Sequence, residues 1–332
     1  MKVRKAFTLI ELTVSIGLLA LVISFASVIF RVSIEGYRTA SANAEIMQKL
    51  RAVTDQFNRD FGGLQTDAPL LIWFEREDPN RYDQIMFFAN GDFQSTQLYS
   101  DTSGEPDEGG DKLLVGNVAR VFYGQAQSLD EGGSLSEPSD LDEPERLLAR
   151  RQHILTADED IKEWPDYSML DFDLRNELYE HDSLSLAEWK TIETDKYESP
   201  IIPVCFGVRP IVSLELPDTF HKLMCEGVGS FAIQWAYWDE DRLYWFPSDD
   251  PDGDGINDDS HFDFAGDEFG VYFNMPGLTS IGGWHNPFTD AEFTGEDFAL
   301  YPKAFKFTFT LYDSKGILDN GRTFTHIVCI GG

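Results

Sequence analysis

An acidic segment over residues 250–259 has the residue types and the spacing of a calcium-binding loop. Counted from its first aspartate, carboxylates stand at positions one, three, five, nine and ten, glycine stands at position six, and position seven offers a backbone carbonyl. The candidate ligands are therefore Asp250, Asp252, Asp254, Ile256, Asp258 and Asp259. Because Ca2+ takes about six to eight oxygen ligands and needs a sharp turn in the loop, the pattern predicts a structural Ca2+ site.

Position twelve of this loop distinguishes it from an EF-hand. His261 stands there instead of a bidentate glutamate, so Asp259 or Asp263 would have to supply that ligand. The D-x-D-x-D-G pattern instead resembles the calcium loops of thrombospondin-type and dockerin-type repeats. A solvated acidic turn that binds no metal is the alternative interpretation, because acidic turns are frequent in this chain.

A second candidate functional group is Glu11, at the edge of an apolar N-terminal segment. Lys2, Arg4 and Lys5 make the start of the chain basic, and the nineteen residues 12–30 include no charged side chain. Such a run is long enough to cross a bilayer, for which about twenty apolar residues are needed. An ordinary secretory signal, cut near Ala26, is the alternative, and the carboxylate of Glu11 argues against it.

The Glu11 carboxylate needs a partner in this environment. At the centre of a membrane an ionised carboxylate would cost about 2.5 to 3.5 kcal/mol. If the chain is cut between Ala6 and Phe7, the new amine lies four residues before Glu11, and the carboxylate of one subunit could neutralise the amine of its neighbour in a helical bundle. A charge that snorkels to the interface would explain Glu11, but not the basic leader that ends just before Phe7.

The N-terminal residues resemble the signature of type IV pilins and type II secretion pseudopilins. The matching residues are Ala6, Phe7, Thr8, Leu9, Ile10, Glu11 and Leu12. One departure is Ala6, because the family normally has glycine before the cut. The resemblance implies that prepilin peptidase cuts between Ala6 and Phe7, that the new N-terminus of Phe7 is methylated, and that Glu11 guides assembly.

Later segments resemble the J-type minor pseudopilins. Residues 301–311 and 322–328 are similar to their Pro-(Lys/Arg)-Ala strand and closing strand, and residues 119–123 and 146–151 to their strand-turn-strand unit. The resemblance implies a single-pass inner-membrane protein with a periplasmic C-terminal domain, incorporated into a pseudopilus. Its implied partners are other minor and major pseudopilins, prepilin peptidase and the inner-membrane assembly platform. A minor type IV pilin for adhesion or motility is the alternative.

Composition and motif content argue against an enzyme and against nucleic-acid binding. With 26 basic and 58 acidic residues, the formal net charge is -32, which repels phosphate backbones. The six histidines have no metal-ligand spacing, and the chain has no GxSxG, P-loop or Rossmann glycine pattern. We therefore expect no catalytic residues, with a membrane-anchored periplasmic hydrolase as the alternative.

The three cysteines are too few for a disulfide framework and have no CxxC metal spacing. In an oxidising compartment Cys205 and Cys225 could form a disulfide across an intervening turn, which would leave Cys329 free in the last predicted strand. Buried free thiols are the alternative for this pair.

The overall pattern predicts an α+β fold, with one long N-terminal helix packed on antiparallel β-sheets, and the resemblance implies that this fold is pilin-like. Gly62 and Gly63 end a helix predicted over residues 7–62, about 80 Å long at about 1.5 Å per residue. Its first half is the transmembrane segment and its second half is amphipathic; a break near Gly36 is the alternative. The apolar positions after Arg31 are Ile34, Tyr37, Ile46, Leu50, Val53 and Phe57.

Strands are predicted from alternating and β-branched or aromatic segments. The predicted strands are 83–89, 118–124, a hairpin of 228–238 with 242–246, and a hairpin of 304–312 with 323–330. The chain is accordingly divided into a leader (1–6), the helix (7–62) and a periplasmic globular domain (63–332) with an enlarged middle region at about 156–220.

Overall fold

One uninterrupted helix, α1 (Leu9–Gly62, 54 residues), forms the N-terminal part of the protein. The computed structural model describes residues 8–77, 80–99, 112–129, 134–155, 180–182, 185–190, 209–213, 217–239, 242–246, 268–274, 301–318 and 320–330. At about 1.5 Å per residue α1 is about 80 Å long, as predicted. Gly36 lies within the helix and does not break it.

Both ends of α1 have a local cause. Thr8 is the N-cap, and it forms a capping box with Glu11. At the other end the backbone N–H of Gly63 donates to the carbonyls of Asp60 and Phe61. Glycine is required at position 63 because a Cβ there would lie 1.9 Å from the carbonyl oxygen of Asn90, whose N–H donates to the Gly63 carbonyl at 2.7 Å.

The globular part is mostly β-structure with one short helix, α2 (Leu186–Lys190). The strands are β1 (Leu70–Glu77), β2 (Asn80–Arg81), β3 (Gln84–Tyr99), β4 (Lys112–Gln125), β5 (Gln127–Leu129), β6 (Leu135–Ser136), β7 (Leu147–Leu155), β8 (His181–Asp182), β9 (Ile211–Val212), β10 (Leu223–Glu226), β11 (Val228–Asp239), β12 (Arg242–Phe246), β13 (Glu268–Phe273), β14 (Ala304–Leu311) and β15 (Arg322–Cys329). Short 3-10 turns span Pro138–Asp140, Glu143–Glu145 and Pro217–Lys222.

The strands form three sheets among the described residues. The largest has the order β10-β7-β4-β3-β1-β13, with β2 paired to β1 and β8 paired to β7. The second has the order β12-β11-β14-β15, and a small third sheet has the order β6-β5-β9. All pairs in the two main sheets are antiparallel except β7 with β8. The predicted α+β arrangement is therefore confirmed.

The main core lies where the second half of α1 meets both large sheets. Ile46, Val53, Phe57 and Phe61 of the helix are buried in one cluster with side chains from β1, β3, β4, β11 and β14. The predicted packing of the helix on β-structure is confirmed, and it involves both large sheets, because α1 contacts β3 and β10 of one sheet and β14 and β15 of the other. The helix therefore joins the two sheets.

The predicted hairpins are confirmed, since β11 pairs with β12 and β14 pairs with β15 in continuous antiparallel registers. Only some of the apolar positions predicted on α1 after Arg31 are buried. Ile46, Val53 and Phe57 are buried, whereas Ile34 and Tyr37 are 51% and 76% exposed. Ala42 is the first buried residue of α1, so the packed half of the helix begins there.

Candidate functional site: the projecting helix and its anchor

The first half of α1 projects from the globular part with its apolar side chains exposed. Between Leu9 and Ser41 every side chain is exposed except Ala26, which is half-buried. An apolar segment of this helix is long enough to cross a membrane, and none of that segment is buried within the protein. Since apolar surface of this extent is unfavourable in water, this half of the helix needs a lipid or protein environment.

Glu11 closes the N-terminal turn of this projecting helix. The backbone N–H of Thr8 donates to Glu11 Oε2 at 2.9 Å, and the Thr8 hydroxyl donates to the same oxygen at 3.0 Å. In return the Glu11 N–H donates to Thr8 Oγ1 at 3.3 Å. This capping box satisfies donors that the first helical turn leaves unpaired. Ala6 and Phe7 lie outside the described residues, so cleavage and methylation there stay predictions.

The second half of α1 is held by an aromatic cluster in the main core. The ring of Phe57 stacks on Phe307 at 4.5 Å between centroids and meets Tyr123 edge-on at 4.8 Å. Phe61, one helical turn later, stacks on Phe87 at 4.3 Å. Because Phe87 and Tyr123 belong to the large sheet and Phe307 to the four-stranded sheet, the two helix residues fix α1 to both sheets.

A buried ion pair fixes the C-terminal turn of α1 to the large sheet. Arg150 on β7 donates from Nε to Asp60 Oδ2 at 2.6 Å and from Nη2 to Oδ1 at 3.1 Å. The Tyr123 hydroxyl also donates to Oδ2, and Gln56 donates to Oδ1 at 3.1 Å. A carboxylate at a helix C-terminus interacts unfavourably with the negative end of the helix dipole. The bidentate hydrogen bonds from the Arg150 guanidinium offset this repulsion at Asp60.

This polar cluster also keeps the Tyr123 phenol protonated. Burial raises the pKa of Tyr123 well above its ordinary value, and the negative charge of Asp60 raises it further. Tyr123 therefore remains a hydrogen-bond donor over the physiological pH range. The four side chains satisfy one another in a buried position, which is the condition under which a buried charge is stable.

A second attachment joins the middle of α1 to the turn between β14 and β15. Lys49 donates to the carbonyl of Tyr312 at 2.9 Å, and Glu45 accepts from the backbone N–H and hydroxyl of Ser314 at 2.8 and 3.1 Å. Lys49 and Glu45 are also paired with each other at 3.0 Å. Partial burial raises the pKa of Glu45, but hydrogen bonds from Ser314 and Lys49 outweigh that effect and leave the pKa below its ordinary value.

Asp83 joins the two large sheets to each other. Fully buried just before β3, it accepts from the backbone N–H of Ile233 on β11 at 2.7 Å and pairs with Arg81. Its own backbone N–H donates to the Phe231 carbonyl at 3.0 Å. Burial raises the pKa of Asp83 to about 6, although the charge of Arg81 opposes this. The sheets thus meet through a carboxylate that titrates near neutrality.

Replacing Asp83 by asparagine should change how stability depends on pH. The folded pKa exceeds the ordinary value of 3.8, so the folded state retains the proton longer, and Asp83 removes stability as pH rises from about 4 through 6. Asparagine does not titrate, so the variant does not lose stability in this way as the pH rises. The free energy of unfolding of Asp83→Asn, relative to the native protein, should therefore increase by about 2 to 3 kcal/mol between pH 4 and pH 7.

Denaturant unfolding of the full chain in detergent at several pH values measures this difference. Asp92→Asn, at an exposed position within β3, controls for the loss of one negative charge. A difference that stays constant with pH for Asp83→Asn would contradict the titration assigned to this carboxyl.

The other predicted site residues are placed as follows. Cys225 is buried, and burial raises the pKa of its thiol to about 12; Cys329 is exposed. Cys205 lies outside the described residues, so its pairing with Cys225 stays a prediction.

No group of three His, Cys, Asp or Glu side chains could hold a metal ion within the part of the chain that the structure describes. The 250–259 loop lies outside that part, so the Ca2+ site also stays a prediction.

Sequence reasoning missed Asp60, Arg150 and Asp83. A signal for Asp60 was present, because it is an acidic residue in the last turn of a helix, where acidic side chains are unfavourable. Asp83 stands just before a strongly apolar strand, and Arg150 is one of two adjacent arginines in β7. Neither position indicates its partner, which is far away in sequence.

Comparison of the chain with protein-family models, with curated proteins and with solved structures gave no match. The arrangement itself is pilin-like: a long N-terminal helix projects its apolar half, and its other half packs on antiparallel sheets.

Proposed function

We propose that this chain is a minor pseudopilin, a structural subunit of a type II secretion pseudopilus. The observation that carries the proposal is α1, which is exposed and apolar over its first half and fixed to both sheets over its second. A subunit of this form can embed one end in a membrane or in a bundle of identical helices, while its folded part stays in water. The role is associative and mechanical, with no catalytic step assigned to the protein.

In this proposal the chain is anchored in the inner membrane by residues 12–30, and the β-rich part lies in the periplasm. Prepilin peptidase would remove residues 1–6, and the assembly platform would transfer the subunit into the filament. The resemblance of residues 301–311 and 322–328 to J-type subunits supports a position in the priming or tip complex, next to other minor pseudopilins.

The capping box supports a specific role for Glu11 in assembly. In the isolated chain its carboxylate is satisfied by donors from Thr8, so the charge is hydrogen-bonded before a partner is present. The amine created at Phe7 on a neighbouring subunit would add a full positive charge at this carboxylate. An exchange of hydrogen bonds for an ion pair is favourable where water is excluded, and it therefore favours the assembled state.

Two measurements test the proposed function. Mass spectrometry of the mature chain should find an N-terminus at methylated Phe7. Glu11→Gln should still insert into the membrane but should be lost from sheared filaments, because the amide cannot neutralise an amine. Glu35→Gln, an exposed position on the same projecting half of α1, is the matched control and should assemble normally. A mature chain that begins near Ser27, or normal assembly of Glu11→Gln, would contradict the proposal.

We also propose that the 250–259 loop binds Ca2+ in this compartment, where extracellular-type loops bind at about 10⁻⁴ to 10⁻³ M. The support is the spacing of its carboxylates with Gly255. Millimolar Ca2+ should protect the loop from proteolysis and raise the thermal midpoint of the chain, and a chelator should reverse both effects. Asp252→Asn combined with Asp254→Asn should abolish the response. A midpoint indifferent to Ca2+ and chelator would exclude the site.

A further inference from the structure

Among the described strands, β15 is an edge of the four-stranded sheet. It pairs with β14 over eight consecutive residue pairs without a register shift, and no described strand pairs with its other side. The edge strand β10 of the large sheet, by contrast, is only four residues long and has a shifted register. A regular edge of this length is a template on which a further strand can form.

The backbone groups that face outward from β15 are identified by alternation. The N–H of Ile330 donates to the Lys303 carbonyl, so residues of the same parity, Phe324, His326 and Val328, direct their backbone groups toward β14. The residues between them therefore direct N–H and C=O groups away from the sheet. These residues are Thr323, Thr325, Ile327 and Cys329, and each has an exposed side chain.

This edge has few of the features that usually prevent strand addition. Protective edges carry proline, charged side chains or bulges; β15 has no proline, lysine or bulge, and its one charged residue, Arg322, stands at its first position. After Arg322, the exposed side chains of β15 are those of two threonines, the half-exposed Ile327 and Cys329. The hydroxyl of Thr308 on β14 lies 3.5 Å from that of Thr325, and the hydroxyl of Thr310 lies 3.0 Å from that of Thr323. The β-branched surface therefore continues from β15 onto β14. These side chains favour an extended neighbour.

The C-terminal segment that includes β15 differs in charge from the chain as a whole. Residues 301–330 include four basic and two acidic residues, in a chain whose net charge is -32. One of those acids, Asp313, is occupied in accepting the N–H groups of Ile317 and Leu318 within its own turn. At the two ends of the edge stand the exposed cations Arg322 and Lys303. An approaching segment therefore meets positive charge at both ends of β15.

We propose that β15 accepts an extended acidic segment of the neighbouring filament subunit as a fifth strand. This inference rests on the proposed function, since it takes the neighbour from the filament. Main-chain hydrogen bonds to residues 323, 325, 327 and 329 hold the segment, and acidic side chains at its ends pair with Arg322 and Lys303. The contact fixes the rotation of one subunit relative to the next, which the apolar projecting half of α1 specifies only weakly.

Proline at position 325 tests the hydrogen bonds. It removes an outward N–H without removing a bond to β14, so the sheet should persist while the added strand is lost. Thr325→Val, which keeps the N–H, is the matched control. In filaments built with the full chain, zero-length carbodiimide should couple Lys303 to an acidic peptide of the neighbour, and Thr325→Pro should lower this product by at least about tenfold. Thr325→Val should leave it unchanged.

Amide exchange of the native chain gives an answer that does not depend on any variant. In detergent the amides of residues 323, 325, 327 and 329 should exchange quickly and those of 324, 326 and 328 slowly. In the filament all seven should be slow. Fast exchange of the four outward amides in filaments overturns the edge proposal, as does a carbodiimide product with a segment that is helical or belongs to β15 of another copy.

The two proposals fail in different ways. If the native chain never enters a filament, the proposed function is wrong. If it enters filaments and Thr325→Pro does so with an unchanged cross-link, the proposed function stands and the edge proposal is wrong.

Discussion

Replacing Arg150 by methionine should lower the free energy of unfolding by about 3 to 5 kcal/mol, because it leaves the Asp60 carboxylate buried without a counter-ion. Asp60 is 3% exposed, and its remaining donors from Tyr123 and Gln56 carry no charge. Its position in the last turn of α1 adds repulsion from the helix dipole. Denaturant unfolding of the full chain in detergent, followed by tryptophan fluorescence, measures the loss.

The double variant Asp60→Asn with Arg150→Met separates the ion pair from simple packing. It removes both charges, so it should be more stable than Arg150→Met alone by about 1 to 3 kcal/mol. Arg51→Met, at an exposed position on the same helix, is the matched control and should change stability by less than about 0.5 kcal/mol. If Arg150→Met is as mild as Arg51→Met, the assigned ion pair does not stabilise the fold.

Replacing Phe57 by alanine should cost about 3 to 5 kcal/mol, because its ring is fully buried at the junction of α1 with both sheets. The ring contacts Phe307 of one sheet and Tyr123 of the other, so its loss opens a cavity that neither sheet can fill alone. Thermal or denaturant unfolding measures the cost. Limited proteolysis should also cut α1 near Ala42 more readily, since the helix is then less firmly held.

Met47→Ala is the control for this prediction. Met47 lies on the same helix and is 51% exposed, and its truncation removes little buried surface. Phe57→Leu, which keeps most of the apolar volume, should recover part of the loss. Equal effects of Phe57→Ala and Met47→Ala would show that the aromatic cluster does not anchor the helix.

Local sequence signals were enough to predict α1 and the two hairpins. The helix has an unbroken apolar run, a capping residue and a terminal pair of glycines, and each signal acts within a few residues. The hairpins β11–β12 and β14–β15 have alternating side chains on both sides of a polar connection. Glu11 was selected for similar reasons, since a lone carboxylate beside an apolar run is a local anomaly.

The anchor of α1 and the contact between the sheets depend on residues that are distant in sequence. Asp60 meets Arg150 across 90 positions, and Asp83 meets Ile233 across 150. The pairing of β1 with β13 joins residues 70–75 to residues 268–273. Periodicity within a window cannot select such partners, because many arginines and many apolar strands would satisfy the same local pattern.

The two attachments of α1, at Glu45 and at Asp60, are fifteen residues apart along one rigid rod, or about 22 Å. Tension applied along the helix axis reaches both attachments together with the aromatic contacts between them, so the load is shared in shear. A helix held at one end only would peel away contact by contact. This protein should therefore transmit a pull on its N-terminus to the whole β-rich part before any single contact yields.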